Sequence, residues 1–400
     1  MTPTETPGRQ RVPAAFRTGF VAAVMIVTFG GPQASAQFTP GNIVVLRIGN
    51  GTSISSGAAA PGTLIEINSA TGVPTGSVVA LPIATAANSG GITFSISTTT
   101  AASLHRSTDG TFLNVAGYDA PVGSAGVASS ASFATNRTIA QIGSSGAVST
   151  QRLTDTSYSG GDVRAVISNG TQYWLGGDAS STADRGVRFV ANNSAASSTR
   201  LVNANVRDVN IFNNRLFDST STAISVVGGS PPPTSGTQTP IPVTNGSNIN
   251  GFVFFDRDAG VGDASLGGLD TLYFADGSNI IKLEFSGSSW INKGIFNSNN
   301  LGNVLFGLTG ALNGGTVELF ATDTSASGSL AKITDTSTFG TDMIATDMWS
   351  LTAGANFTFR GVDFAPTPVP EPATVLAVVA IGLGLARLRR RKTSAGRPTA

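Results

Sequence analysis

The chain has 400 residues, with 24 Lys and Arg against 23 Asp and Glu for a formal net charge of +1, and it contains no cysteine. Disulfides and thiolate metal sites are therefore excluded, and stability must rest on packing and hydrogen bonds. Only 12% of residues are charged, 49 are glycine and one is histidine, a composition poor in helix formers and too poor in histidine for a His-built zinc centre.

At the N-terminus, Arg9, Arg11 and Arg17 precede an almost wholly apolar run from Phe20 to Phe29. Ala34-Ser35-Ala36 then places small residues at the −3 and −1 positions of a signal-peptidase site, with Gln37 as the new first residue. Residues 1–36 read as a cleaved signal peptide. Gln10 separates Arg9 from Arg11, so the twin-arginine route is not supported. Between the two ends, residues 37–370 hold 15 Lys and Arg against 21 Asp and Glu, a net charge of −6. An acidic body with scattered arginines lacks the footprint of a nucleic-acid binder.

The body has no long 3.6-residue periodicity. Short apolar runs recur instead, separated by turn residues such as Asn50-Gly51, Asn169-Gly170, Asn245-Gly246, Asn250-Gly251 and Asn313-Gly314. A strand–turn–strand form repeats at residues 103–119, 163–178, 206–219, 249–277 and 304–323, with starts roughly 43 to 60 residues apart, the spacing of four-stranded propeller blades. FRGVDFAP (359–366) has no hairpin partner after it, and NIVVLRIGN (42–50) has none before it. Pairing these two segments would close a ring and remove its open edges. The fold class expected for residues 37–366 is thus all-β, a six- or seven-bladed β-propeller closed by its two ends. A pair of β-sandwiches and a parallel β-helix are the alternatives; the long spacing disfavours the helix. Residues 226–248, rich in proline, read as a long exposed loop or a domain boundary.

The body carries no complete catalytic set. His105 lies just before a turn in SLHRSTDG and no Gly-x-Ser-x-Gly elbow accompanies it, so it reads as an exposed or hydrogen-bonded histidine. Most acids stand singly at strand ends, where capping and turn formation explain them. If the body were a hydrolase or lyase working with two carboxylates, Asp208 in VRDV and Asp363 in RGVDF would be the pair, because both stand in first strands. The densest acidic loop, DRDAGVGDASLGGLD, offers Asp256, Asp258 and Asp263 (with Asp270) as oxygen ligands for a weak Ca²⁺ site, although Arg257 intrudes and the bidentate Glu of an EF-hand is missing. No other cofactor is expected.

At the C-terminus, Pro370-Glu371-Pro372 forms an extended strip with residues 367–369 before it. Ala373 to Ala386 carries no charge and spans about 21 Å as helix, a thin crossing of the ~30 Å hydrocarbon core. Arg387, Arg389, Arg390, Arg391 and Lys392 follow and would hold the end in the cytoplasm. The expected segments are a transmembrane helix at 373–388 and a basic tail at 389–400. These three parts in this order resemble the bacterial PEP-CTERM sorting signal. The resemblance implies recognition by an exosortase-like membrane protease, removal of the tail, and delivery to the cell envelope or an exopolysaccharide matrix; a plain tail anchor is the alternative. It implies no activity. The expected function is a non-enzymatic, exported scaffold that binds exopolysaccharide or surface proteins, with a secreted carbohydrate-active enzyme as the alternative.

Overall fold

The structure is a computed structural model that describes residues 38–369, apart from 54–56, 96–99, 193–194, 303 and 326. Of two compact units, Met1–Ser35 lies outside the described residues, and every element below belongs to the second, Ala36–Ala400. Among the described residues six four-stranded antiparallel sheets form, each a blade. Their innermost strands are Phe357–Phe364 in blade 1, Leu104–Arg106 in blade 2, Val163–Ser168 in blade 3, Asp208–Phe212 in blade 4, Ile249–Phe255 in blade 5 and Leu305–Asn313 in blade 6. Each innermost strand touches the next and the sixth touches the first, which closes a six-bladed β-propeller.

The closure joins the two ends of the body. Phe357–Phe364 pairs antiparallel with Ile43–Gly49, so that Ile43 faces Phe364 and Val44 faces Asp363. Gly62–Ile67 and Pro74–Ala80 complete blade 1. The pairing expected from the unpartnered segments is present, and the blade count is six rather than seven.

Every interface between neighbouring blades has its own apolar cluster. In blade 1, Val44, Leu46 and Ile48 face blade 2, while Ile43 and Val45 face blade 6. A propeller strand is thus buried on both faces, which is why IVVL and FVFF are continuous apolar runs without polar alternation. Each fully buried Val, Leu or Ile contributes about 1.5–3 kcal/mol relative to exposure. Regular alternation is seen at the periphery, as in the outermost strand Ala345–Thr352. The ladder that joins the outermost strand to its neighbour is interrupted by a register shift in blades 1, 4, 5 and 6, a twist that discourages pairing with another chain.

Two local expectations are corrected. Residues 226–248 are not loop throughout: Ile241–Asn245 is the outermost strand of blade 4, where Pro242 is tolerated because one side of the strand has no partner. Asn250-Gly251 is not a turn but lies inside Ile249–Phe255, where a Cβ on Gly251 would sit 2.7 Å from the Phe306 carbonyl oxygen. The glycine lets the inner strands of blades 5 and 6 approach.

Candidate functional site in the central mouth

Inner strands of blades 1, 2, 4, 5 and 6, with the turn after the blade 2 strand, border a central cavity of about 490 Å³, lined by Arg106–Gly110, Asn210–Phe212, Val253–Phe255, Leu308–Gly310 and Asp363–Phe364. Aromatic and aliphatic side chains from blades 4, 5 and 1 face polar groups from blades 2, 6 and 1. Asp363 lines this mouth, and His105 and Asp208, both buried, pair across the channel nearby. His105 Nε2 lies 2.7 Å from Asp208 Oδ1, a bond that crosses from blade 2 to blade 4. The Asn210 amide lies 3.4 Å from His105 Nδ1, an arrangement that suits the tautomer with its proton on Nε2, donated to Asp208. Below the ring, Asn114 donates to the His105 carbonyl at 3.2 Å and accepts from the Ser168 hydroxyl at 3.1 Å.

His105 is hydrogen-bonded, as one branch of the sequence reading had it, but it is buried rather than exposed. Burial opposes charge on its ring, yet the Asp208 carboxylate and, more distantly, Asp363 leave its pKa above the ordinary histidine value. Asp363 accepts from the Arg106 amide at 2.7 Å, the Thr309 hydroxyl at 2.9 Å and the Phe364 amide at 2.7 Å. One carboxylate thereby ties blades 1, 2 and 6 together. Asp208 and Asp363, singled out as a pair in the sequence, do converge on the central channel.

The acids at blade ends are structural donors' partners. Asp119 accepts from the Ser89, Gly90 and Gly91 amides, Asp276 from those of Ser247 and Asn248, and Asp323 from those of Gly302, Ser325 and Ser329. Asp218 differs. It is almost wholly buried, its Oδ2 has no partner, and burial pushes its pKa up to about 7.

The proposed calcium ligands are not brought together. Asp258 accepts from the Gly260 amide, Asp263 caps a short 3₁₀ turn at the Ser265 amide and accepts from Trp290 Nε1 at 3.2 Å, and Asp256 is exposed. Asp270 instead bonds the amides of Arg257 and Asp258, folding the loop on itself. Among the described residues no group of three or more His, Asp or Glu side chains is arranged to hold a metal ion.

Sequence reasoning also missed an arginine relay at the starts of the inner strands. Arg164 of blade 3 donates to the Val206 carbonyl at 3.0 Å, just before the inner strand of blade 4. Arg207 of blade 4 donates to the Ile249 carbonyl of blade 5 at 3.0 Å, and Asn250 of blade 5 to the Leu305 carbonyl of blade 6 at 2.8 Å. The signal was in plain view as VRAV and VRDV, whereas the arginine of FRGV, Arg360, donates to Thr358 and Phe359 of its own strand.

The targeting residues Ala34, Ala36, Gln37, Pro370, Glu371, Pro372, Arg387, Arg389, Arg390, Arg391 and Lys392 lie outside the described residues. What is described is the approach to them. The Ala365 amide donates to the Asn42 carbonyl at 2.9 Å and the Thr367 amide to Gly110 at 2.8 Å, after which Pro368 and Val369 are exposed. No helix among the described residues is long and apolar enough to cross a membrane.

No protein-family model matches the chain. No curated protein matches it either. Among solved structures, similarity is found to a protein from Lactobacillus plantarum at 12% identity, covering 78% of this chain and 82% of that one with a TM-score of 0.42. An endo-1,4-beta-xylanase from Bacteroides thetaiotaomicron follows at 13% identity, 44% and 68% coverage and a TM-score of 0.30. AztD from Citrobacter koseri aligns at 10% identity, over 82% of this chain and all of that one, with a TM-score of 0.29.

Proposed function

We propose that the chain is an exported protein of the bacterial cell envelope or exopolysaccharide matrix, delivered by a PEP-CTERM tail, whose propeller is a non-catalytic binding scaffold. In this reading signal peptidase cuts after Ala36, residues 373–388 hold the protein transiently in the membrane, and an exosortase-like protease acts at Pro370-Glu371-Pro372. The ordered run of triplet, apolar stretch and basic cluster supports the sorting. The engagement of both central carboxylates supports the absence of catalysis. Asp208 is held by His105, and Asp363 by donors from three blades, so each acts as a clamp on the ring. A glycosidase pair needs one carboxyl to give a proton and the other to face the sugar.

The second reading, a carbohydrate-active enzyme, draws support from one observation: both carboxylates stand on inner strands, and one of them, Asp363, lines the open mouth. Intact mass and fractionation of the native protein test the first reading. A soluble or matrix-bound species that starts at Gln37 and ends near Pro370 is expected; a membrane species that keeps Arg387 to Ala400 would refute the sorting. Release of reducing sugar from exopolysaccharide, abolished by Asp363→Asn, would refute the non-catalytic assignment.

A further inference from the structure

The tail leaves the propeller at the rim of its mouth, and this exit point restricts how an anchored molecule can stand. Thr367 is pinned to Gly110, and both Gly110 and Arg106 line the mouth; the Arg106 guanidinium lies 3.5 Å from the Thr367 hydroxyl. Pro366 is buried, and the chain comes free at Pro368. From Pro368 to Ala373, where the apolar stretch begins, there are five peptide steps, a reach of at most about 18 Å when fully extended.

The body is larger than this tether. A compact domain of about 330 residues has a radius of gyration of about 20 Å and an outer radius of about 25 Å. Headgroups add about 5–7 Å between the hydrocarbon boundary and the surface on which a protein can rest. A propeller lying on its side would hold the centre of its mouth about 30 Å above the hydrocarbon and the nearest rim about 25 Å above it, and an inverted one would hold both higher still. Both distances exceed what the tether allows.

Resting on the anchoring proposed above, we infer that the uncut protein stands with its mouth against the lipid surface, so that the mouth is closed to large ligands until the tail is removed. Attraction to the lipid does not cause this orientation. The loops on that face carry both signs, Asp109, Asp256, Asp258 and Asp263 beside Arg106 and Arg257, and form no basic cluster that would draw them to an anionic surface. The short tether imposes it, and cleavage both releases the protein and opens its binding face.

The cysteine-free chain allows a direct test with single introduced thiols. Thr171→Cys lies in the 169–172 turn, whose Gly170 carbonyl accepts from Gln141 and which abuts Asp109 at the mouth rim. Thr222→Cys lies in a turn between second and third strands, on the opposite face. Each full-length variant is produced in a bacterial host lacking an exosortase, and its membrane association is checked by fractionation. Reaction with a bulky polyethylene-glycol maleimide on intact spheroplasts is then timed. Thr171→Cys should react about tenfold or more slowly than Thr222→Cys when held by the tail, since the gap is smaller than the body radius. In the purified 37–369 body the two rates should be equal. A Gly-Ser insert of about 20 residues after Val369, reaching about 25 Å, should bring Thr171→Cys close to the Thr222→Cys rate.

Equal rates in the membrane-held protein would overturn the inference and leave the anchor standing. Slow reaction that persists with the lengthened tether would overturn it as well, because something other than the tether would then be covering the mouth. A full-length protein absent from the membrane fraction would overturn the anchoring and this inference together.

Discussion

Replacing Asp218 by asparagine should make the propeller more stable at neutral pH, an unusual result for a fully buried position. The Asp218 carboxyl is raised from 3.8 to about 7 by burial, with no partner for its Oδ2. A tenfold change in proton affinity is worth about 1.4 kcal/mol, so the ionised carboxylate costs the fold about 4 kcal/mol above neutrality. Because the folded pKa is raised, the protonated group's contribution is fully present below 3.8 and is lost as pH rises to about 7. Asparagine has the same shape and never ionises. Urea denaturation of the 37–369 body between pH 4 and 8 should therefore show the wild type losing stability over this range, with the loss in Asp218→Asn smaller by up to about 4 kcal/mol. The reasoning is refuted if the two proteins show parallel pH profiles, since the carboxyl would then be solvated or paired in the folded state.

The single histidine gives one proton-NMR titration curve, whose midpoint should lie above the ordinary 6.5 and should fall in Asp208→Asn; an unchanged midpoint would count against the cross-channel bond. His105 acts in the same direction as Asp218, its stabilising charge being present below 6.5 and lost as pH rises through the folded value. Lys282 is fully buried, 2.8 Å from Glu284 and 3.4 Å from Asp335, so Lys282→Met should cost about 3–5 kcal/mol by leaving both carboxylates without their ammonium partner; a loss under 1 kcal/mol in chemical denaturation would mean Arg257 compensates. Ending the chain at Gly354 removes the inner strand of blade 1 and exposes the edge of Ile43–Gly49. Light scattering should then report oligomers, and a monomer that melts cooperatively would argue against closure by the ends.

Although blade 2 opens with only three residues, Leu104–Arg106, and residues 256–270 separate the first two strands of blade 5, the first hairpins of five blades were legible in the sequence because apolar runs recur in pairs. Their partners were not. Thr199–Arg200 is two exposed residues, and Ile241–Asn245 contains a proline, so neither carries a strand signal of its own. Such strands exist because the ladder beside them supplies hydrogen bonds, a property of the neighbour rather than of the segment. The closing blade was legible by subtraction, from one strand left over at each end. The central site was half visible: Asp208 and Asp363 could be named from their place in first strands, whereas His105 meets Asp208 across 103 positions and past an intervening blade. No local pattern encodes such a contact. In sequence Asp218 looks like any other single acid at a strand end; that its Oδ2 meets no donor is a fact of packing.

Closure by the two ends also sets an order of events in folding. Ile43 and Phe364 are partners, so the ring stays open until more than three hundred intervening residues are available, and contacts of such separation form slowly. If the chain is exported as proposed, the last strand would emerge only just ahead of the apolar stretch proposed to halt it. The ring would then snap shut while the polypeptide is still attached to its point of exit. Under that proposal an arrested chain would gain time there: blade 1 could find its inner strand before release, and a molecule let go too early would carry an unpaired edge into its surroundings.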